Sequence, residues 1–328
     1  MGSPYDEIFA IGDIHGCARE LQKLLEVLPY TDNSLIVFLG DYVDRGPHSS
    51  TVIDIIINLK KTANVITLMG NHESMFLDFL REPHSAAAGR FIFNGGGATL
   101  ASYGDDSGGY IIPESHSQFL GQLLPFYETE EYFFVHAGVP DIALSEIDVR
   151  KHGSYLLWAR EPFLSSDFPW KKIIVHGHTP VKDVSIFSHR INLDTGCVFN
   201  HRLSAIRLSD RKIFNVEKIK DPAKAILKDD SSERRGVRFK GAIPIQVFHN
   251  STAIALETLD YNEFGFFAVD FSQDKSLRLK ENEIIDIKIN TSPNAITSHK
   301  GKVLRVKKEK EGIYYAVKFL ENAIVKDN

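Results

Sequence analysis

The sequence predicts an α/β domain followed by a small all-β domain, and three observations support this prediction. Short apolar runs alternate with helical patterns over the first two thirds of the chain, and polar clusters follow many of these runs. A polar stretch, residues 218–233, then precedes a region with only strand-like alternation. The chain has 328 residues, which exceeds the usual size of one compact domain, so two domains are expected.

The first elements repeat the order strand, loop, helix. Residues 8–11 form an apolar run, and leucines recur at helical spacing over residues 21–28. Residues 35–39 predict the next strand, residues 52–59 the next helix and residues 64–69 a third strand. This order predicts parallel strand pairing, in which ligands bind outside the carboxyl ends of the strands.

The remaining strands complete the two domains. Three further strands of the first domain are predicted at residues 132–135, 171–175 and 190–193. After the polar stretch, alternation predicts strands at residues 243–248, 252–259, 284–289, 303–307 and 314–319. Short strands separated by turn signals predict a small β-barrel. The expected division is a catalytic domain at 5–217, a linker at 218–233 and a barrel domain at 234–328.

Composition and charge exclude several classes of protein. The net charge is -5 and no long block of Lys and Arg occurs, so a nucleic-acid partner is not expected. Residues 1–6 contain no basic stretch followed by an apolar core, and no later run approaches about 20 apolar residues. We therefore expect a cytoplasmic protein without an export signal or a membrane partner. The two cysteines, Cys17 and Cys197, lack the spacing of metal ligands and are expected to be reduced thiols.

The polar clusters that follow the apolar runs are rich in Asp, His and Asn. They comprise residues 12–16, 40–46, 70–73, 136–138 and 176–179. This mixture of ligands suits Mn, Fe or Zn better than Ca or a thiolate-bound metal. Asp13 and His15 stand two residues apart and can face one ion, while Asp41 could bridge to a second ion. The second site would be completed by Asn71, His136 and His178. Two ions about 3.5–4 Å apart can hold a hydroxide and clamp the oxygens of a phosphoryl group.

Three of the clusters resemble the signature motifs of a known family. Residues 12–16, 40–46 and 70–73 are similar to those of the calcineurin-like metallophosphoesterases, in the form found in bacterial and phage serine/threonine phosphoprotein phosphatases. The resemblance covers about residues 5–217 and implies a β-sandwich flanked by helices. It also implies that one ion is held by Asp13, His15 and Asp41, and the other by Asp41, Asn71, His136 and His178.

The same resemblance implies the catalytic groups. His72, paired with Asp44, would be the general acid for the leaving oxygen. Arg45 and Arg160 would bind phosphate oxygens. The implied cofactor is a pair of divalent ions, with manganese expected and iron or zinc as alternatives.

The C-terminal region resembles a second family. Arg234 and Arg238 form an Arg-x-x-x-Arg motif, and residues 260–265 follow it between two strands. Both features are similar to the PilZ domain, which typically binds cyclic di-GMP. The implied nucleotide-binding residues are Arg234, Arg238, Asp260, Asn262 and Gly265. Asn262 stands where the PilZ pattern has Ser.

These features together predict a metal-dependent serine/threonine protein phosphatase that acts on a phosphoprotein, with cyclic di-GMP as a regulatory ligand. Two alternatives stay open. One is a small-molecule phosphohydrolase that cleaves dinucleoside polyphosphates, because the same metal pair serves phosphoanhydrides. The other is a cyclic di-GMP receptor that uses the phosphatase fold as an interaction platform.

Overall fold

The computed structural model describes most of the chain in two units. The described residues are 4–83, 85–104, 109–219, 239–240, 244–249, 252–262, 265–270, 279–292, 295–308, 313–320 and 324–326. The first unit comprises Met1–Ser74 and Ser102–Glu233, and the second comprises Met75–Ala101 and Arg234–Asn328. The second unit therefore combines a helical segment from the first third of the chain with the C-terminal strands.

Two five-stranded mixed sheets form the centre of the first unit. The strands are β1 Glu7–Ile11, β2 Ser34–Phe38, β3 Asn64–Thr67, β4 Phe126–Glu128, β5 Tyr132–Val135, β6 Ile173–His176, β7 Ser185–Ile186, β8 Arg190–Asn192, β9 Arg202–Arg207 and β10 Lys212–Glu217. One sheet has the order β10-β9-β1-β2-β3, with β1, β2 and β3 parallel. The other has the order β4-β5-β6-β8-β7, with β5, β6 and β8 parallel. The prediction of parallel pairing is thus confirmed for both sets of strands.

The two sheets share one hydrophobic core. Val37 and Ile206 of the first sheet belong to the same buried cluster as Phe134 and Val175 of the second. All four are completely buried. Burial of a side chain of this size stabilises the folded state by about 1.5–3 kcal/mol. This shared core holds the carboxyl ends of strands from both sheets in fixed positions.

The described residues of the two units contain seven α-helices. They are α1 Ala18–Val27, α2 Ser49–Leu59, α3 Asn71–Arg81, α4 Ala86–Phe91, α5 Gly97–Ser102, α6 Glu114–Gly121 and α7 Val149–Trp158. In α1 the predicted leucine spacing buries Leu21 and Leu24 completely. No helix in the described ranges has the length and apolarity that a bilayer-spanning helix needs.

The described residues of the C-terminal part of the second unit form strands and the segments that join them. Its strands are β11 Phe239–Lys240, β12 Pro244–His249, β13 Thr252–Asn262, β14 Gly265–Asp270, β15 Ile284–Ser292, β16 Ala295–Lys308, β17 Ile313–Phe319 and β18 Ile324–Lys326. They pair in the order β11-β13-β12-β15-β16-β17-β14, with further pairing of β13 to β14 and of β18 to β16. The predicted α/β class followed by an all-β region is confirmed, whereas the closed PilZ-like barrel stays a prediction.

Candidate metal centre

The polar clusters lie just beyond the ends of strands from both sheets. Asp13 follows β1 and Asp41 follows β2, while Asn71 is the first residue of α3. His136 directly follows β5, and His178 stands two residues after β6. All five side chains are buried, with at most 8% of each residue exposed. Loops that are more than 160 residues apart in sequence therefore converge on one site.

The backbone of these loops adopts an unusual conformation at several site residues. Positive φ angles occur at His15, Asp41, Asp44, Arg45 and His178. A non-glycine residue held in this region costs on the order of 1–3 kcal/mol, and such residues concentrate at functional sites. The surrounding contacts must therefore hold the loops in place against this strain.

Asp41 connects two groups of side chains that could bind metal. Its Oδ2 lies 3.3 Å from His15 Nε2 and 4.0 Å from His72 Nε2. Asp41, His15 and His72 form the first group. Asp41 Oδ1 lies 3.4 Å from His136 Nε2 and belongs to the second group with His178. A carboxylate shared between two clusters is the arrangement that a bridging ligand of two ions requires.

Asn71 and Asp13, the other two predicted metal ligands, lie beside these histidines. Asn71 Oδ1 lies 2.8 Å from His136 Nε2 and 3.0 Å from His178 Nδ1. The Asp13 carboxylate accepts a hydrogen bond from the His178 backbone N–H at 3.1 Å. The structure thus brings together all six residues predicted as ligands, while their roles as ligands stay a prediction.

Hydrogen bonds to backbone carbonyls orient two of the histidines. His15 Nδ1 donates to the Val43 carbonyl at 2.8 Å, and His136 Nδ1 donates to the Leu39 carbonyl at 2.9 Å. Each Nε2 therefore keeps a lone pair that faces the site, which is the tautomer a metal ligand needs. The His136 Nε2 lone pair points at Asn71 Oδ1, another acceptor. Since a cation relieves such a contact between acceptors, the residues present fit divalent metal ions.

The buried carboxylates also indicate that the site suits divalent cations. Burial raises the pKa of Asp41 to about 7, although Arg45 opposes this shift. Burial also raises the pKa of Asp13, and the charges of Asp194 and Asp41 raise it further. Close carboxylates in a buried site resist ionisation unless a positive charge compensates them. Divalent ions would supply that charge.

His72 forms the predicted pair with Asp44. Its Nδ1 lies 2.6 Å from Asp44 Oδ2, and both side chains are almost completely buried. The carboxylate fixes the ring so that Nε2 faces Asp41. Burial lowers the pKa of His72, with Arg45 as the next cause. A bound phosphate anion would act in the opposite direction and favour the protonated ring.

The two predicted phosphate-binding arginines lie at this site. The Arg45 guanidinium lies 2.8 Å from His15 Nε2 and stacks over the Phe199 ring at 5.3 Å. Arg160 follows α7, and its positive charge lowers the pKa of His178, after the larger effects of burial and His136. Both are partly exposed. Their predicted contacts with phosphate stay a prediction.

Glu73 is a site residue that sequence reasoning missed, although it stands in the third motif. Its completely buried carboxylate accepts hydrogen bonds from the backbone N–H groups of Gly70, Asp41, Tyr42 and Val43, at 2.7–3.1 Å. The carboxylate therefore joins the loop after β2 to the start of α3. Among the described residues its hydrogen bonds go to backbone N–H groups, so its place in the 70–73 motif was the available signal.

Asp194 is a second site residue that sequence reasoning missed, and His176 lies outside both candidate metal groups. Asp194 is buried, accepts from the Gly196 N–H at 3.0 Å and raises the pKa of Asp13. Its position after a predicted strand was an available signal. His176 is buried at the end of β6 against Phe163 and belongs to neither metal group of the described residues.

The residues predicted to bind cyclic di-GMP are only partly described. Arg234 and Arg238 lie outside the described residues. Asp260 and Asn262 belong to β13, and Gly265 begins β14. Asn262 pairs with Gly265 across the antiparallel strands. Binding of cyclic di-GMP stays a prediction.

A pair of mixed sheets with buried Asp, His and Asn side chains just beyond the strand ends is the arrangement expected of a metal-dependent phosphoesterase. The chain belongs to the calcineurin-like phosphoesterase family, which matches residues 7–220. It is similar to the asymmetrical bis(5'-nucleosyl)-tetraphosphatase PrpE of Oceanobacillus iheyensis, with 30% identity over 242 residues that cover 64% of this chain and 92% of the relative. The enzyme of the same name from Bacillus cereus is 31% identical over 246 residues, which cover 63% and 92%.

One solved structure supports the fold. A candidate diadenosine tetraphosphatase aligns with a TM-score of 0.50 and 22% identity, over 67% of this chain and 97% of that chain. At this identity the likeness shows the fold alone. The PilZ domain of YcgR from Escherichia coli aligns over 27% of this chain with a TM-score of 0.23, too low to support an argument.

These relatives correct the main functional prediction. The motifs led us to expect a serine/threonine protein phosphatase. However, the relatives that align with this chain over 92% of their own length are named as bis(5'-nucleosyl)-tetraphosphatases. The short motifs determine the metal chemistry, which both classes share, and carry little information about the rest of the substrate. The prediction of a phosphoprotein substrate is therefore wrong, and the small-molecule alternative is better supported.

Proposed function

We propose that this chain is a metal-dependent dinucleoside tetraphosphatase that cleaves its substrate asymmetrically. Two observations support the proposal. Asp41 is shared by two groups of side chains that could hold metal ions. The relatives of this name are 30–31% identical to the chain, and the matches cover 92% of their length. Asymmetrical cleavage yields a nucleoside triphosphate and a nucleoside monophosphate.

The residues of the site suit this reaction. Divalent ions bound there would lower the pKa of a bound water and neutralise phosphate charge, and manganese is our choice among them. The water oxygen would bond to the phosphorus nearest one nucleoside, and the bond from that phosphorus to the bridging oxygen would break. His72 Nε2 would give its proton to the departing oxygen, while Asp44 holds the ring in position. Arg45 would bind oxygens of the phosphate chain through its planar guanidinium.

An apolar cavity that includes residues flanking the third motif suits a nucleoside base. Its volume is about 300 Å³, and Met69 and Ser74, which flank the Gly70–Glu73 cluster, belong to its lining. Helix α7 contributes Val149, Gly153, Leu156 and Leu157. A base has flat apolar faces, and ligand pockets are lined predominantly by such side chains. We therefore assign one base of the substrate to this cavity.

The decisive experiment compares three substrates at equal concentration with Mn²⁺. We expect diadenosine tetraphosphate to be hydrolysed faster than a phosphoserine peptide or p-nitrophenyl phosphate, with ATP and AMP as products by chromatography. The control is Asp41→Asn, which should abolish all three rates. A phosphopeptide rate above the dinucleotide rate, or ADP as the main product, contradicts the proposal.

The cavity assignment has its own test. A Cβ atom at Gly153 meets nothing within 4 Å, so Gly153→Leu fills the cavity without a backbone clash. We expect KM for diadenosine tetraphosphate to rise about tenfold, equal to about 1.4 kcal/mol, with p-nitrophenyl phosphate kinetics unchanged. Gly121→Leu is the matched control, because Gly121 also has open space and lies in α6. Equal KM values for both variants and the native chain refute the assignment.

A further inference from the structure

The two cysteines of the chain lie together in the first unit, although 180 positions separate them in sequence. The sulfurs of Cys17 and Cys197 lie within 4.8 Å of each other and of a Glu20 carboxylate oxygen. Both residues are free thiols and 1% exposed. Nothing in the phosphohydrolase reaction uses this buried pair.

A lysine makes this cluster unsuitable for a metal ion. Lys218 Nζ lies 3.3 Å from Cys17 Sγ and 3.0 Å from a Glu20 carboxylate oxygen. Its ammonium group therefore supplies the positive charge that an ion would otherwise bring to these ligands. Two adjacent thiols without a metal have one other reaction with each other, which is oxidation to a disulfide.

Each cysteine belongs to a loop that carries residues of the metal centre. Cys17 stands two residues after His15, and its thiol contacts the His15 carbonyl at 3.6 Å. Cys197 begins a short 3₁₀ turn, Cys197–Phe199, that ends in the aromatic ring beneath Arg45. A change at either sulfur would therefore reach the predicted metal ligand His15 and the predicted phosphate-binding Arg45.

We propose that Cys17 and Cys197 form a reversible disulfide that lowers the phosphohydrolase activity. With hydrogen peroxide as oxidant, the Cys17 sulfur takes one oxygen to become a sulfenic acid, and one water is released. The Cys197 thiol then attacks that sulfur, the S–O bond breaks and a second water leaves. Two thiols and one peroxide thus give one disulfide and two waters.

The disulfide would act on the site by drawing two loops together. A disulfide requires a sulfur separation of about 2.05 Å, so the two sulfurs must move closer together, and we expect their loops to move with them. A misplacement of catalytic groups by about 1 Å can lower the rate on the order of 100-fold. A smaller displacement of these loops would therefore lower kcat by about tenfold or more. A thiol reductant would restore the activity.

The experiment treats the metal-free full chain with peroxide, removes the oxidant and then adds Mn²⁺. Because the metal is added after the oxidant is removed, oxidation of the metal cannot contribute to the loss of activity. Tryptic peptides 1–19 and 191–202 each contain one cysteine, so their linkage with loss of two hydrogens identifies the disulfide. The activity is measured with p-nitrophenyl phosphate, so the outcome does not depend on the proposed dinucleotide substrate.

We expect the linked peptides to appear together with the fall in kcat, and both to reverse with dithiothreitol. Cys17→Ser and Cys197→Ser are the matched variants, and each should form no linked peptide and lose no reductant-recoverable activity after the same treatment. Thiols that stay unreacted in the folded native chain overturn the proposal. So does a disulfide that forms without any change in kcat.

Discussion

At the scale of single residues, His72, whose ring pairs with Asp44, is the proposed acid for the leaving oxygen. We expect His72→Asn to lower kcat by about 100-fold or more, the usual contribution of a general acid. The loss should be larger with phenyl phosphate than with p-nitrophenyl phosphate. p-Nitrophenolate is the better leaving group and needs less protonation by an acid. His152→Asn is the control, since His152 belongs to α7 and contacts Asp148. Equal losses for both substrates would contradict the role of His72 as an acid.

We expect a second histidine, His299 in the second unit, to make the folded state sensitive to acid. It is 7% exposed, stacks on Phe319, and its Nε2 has no hydrogen-bond partner among the described residues. Burial lowers its pKa to about 4. Between about pH 6.5 and pH 4 the unfolded chain therefore binds a proton that the folded chain does not, and stability falls as the pH falls.

The expected effect can be measured by unfolding at several pH values. Over this range the shift corresponds to about 3 kcal/mol of stability lost by the native chain. His299→Leu should remove that part of the acid dependence of stability and leave the rest. His201→Leu, at an exposed position, should leave the whole acid dependence in place. Identical pH dependence of unfolding in the native chain and His299→Leu would show that the ring titrates normally.

At the scale of elements, the close approach of the loops after β1 and β6 requires a glycine. A Cβ atom on Gly177 would collide with Asp13 Oδ1. We expect Gly177→Ala to displace that carboxylate and weaken Mn²⁺ binding by about 10- to 100-fold, the range for disturbed ligand support. Calorimetric titration of the metal-free protein measures this directly. Gly121→Ala, with open space at its Cβ, should bind Mn²⁺ as the native chain does.

At the scale of the whole molecule, the second unit joins stretches that are far apart in sequence. Phe93, 6% exposed, packs against Phe319 of β17 with ring centroids 5.9 Å apart. We expect Phe93→Ala to destabilise this unit by about 3–5 kcal/mol, as measured by hydrogen exchange of β17 amides. The exposed Leu304→Ala should change this protection by less than about 0.5 kcal/mol. Unchanged protection in Phe93→Ala would show that the segment 75–101 does not support the sheet.

The sequence by itself determined the class of fold, the metal chemistry and the six residues that converge at the site. These features are readable because strand and helix periods, and the polar residues that follow each strand, are local patterns of a few residues. The same locality explains the error in substrate class, since a motif that binds metal and phosphate is shared by enzymes with different leaving groups.

Only the tertiary structure decided the contacts between residues that are distant in sequence. It placed the Glu73 carboxylate against the N–H groups of the loop after β2, the Cys17 thiol beside Cys197, and Phe93 against Phe319. No local period encodes such contacts, because they depend on the order of strands in each sheet and on which faces pack together. The folded arrangement of loops and side chains therefore determines how the metal centre is supported and where it could be regulated.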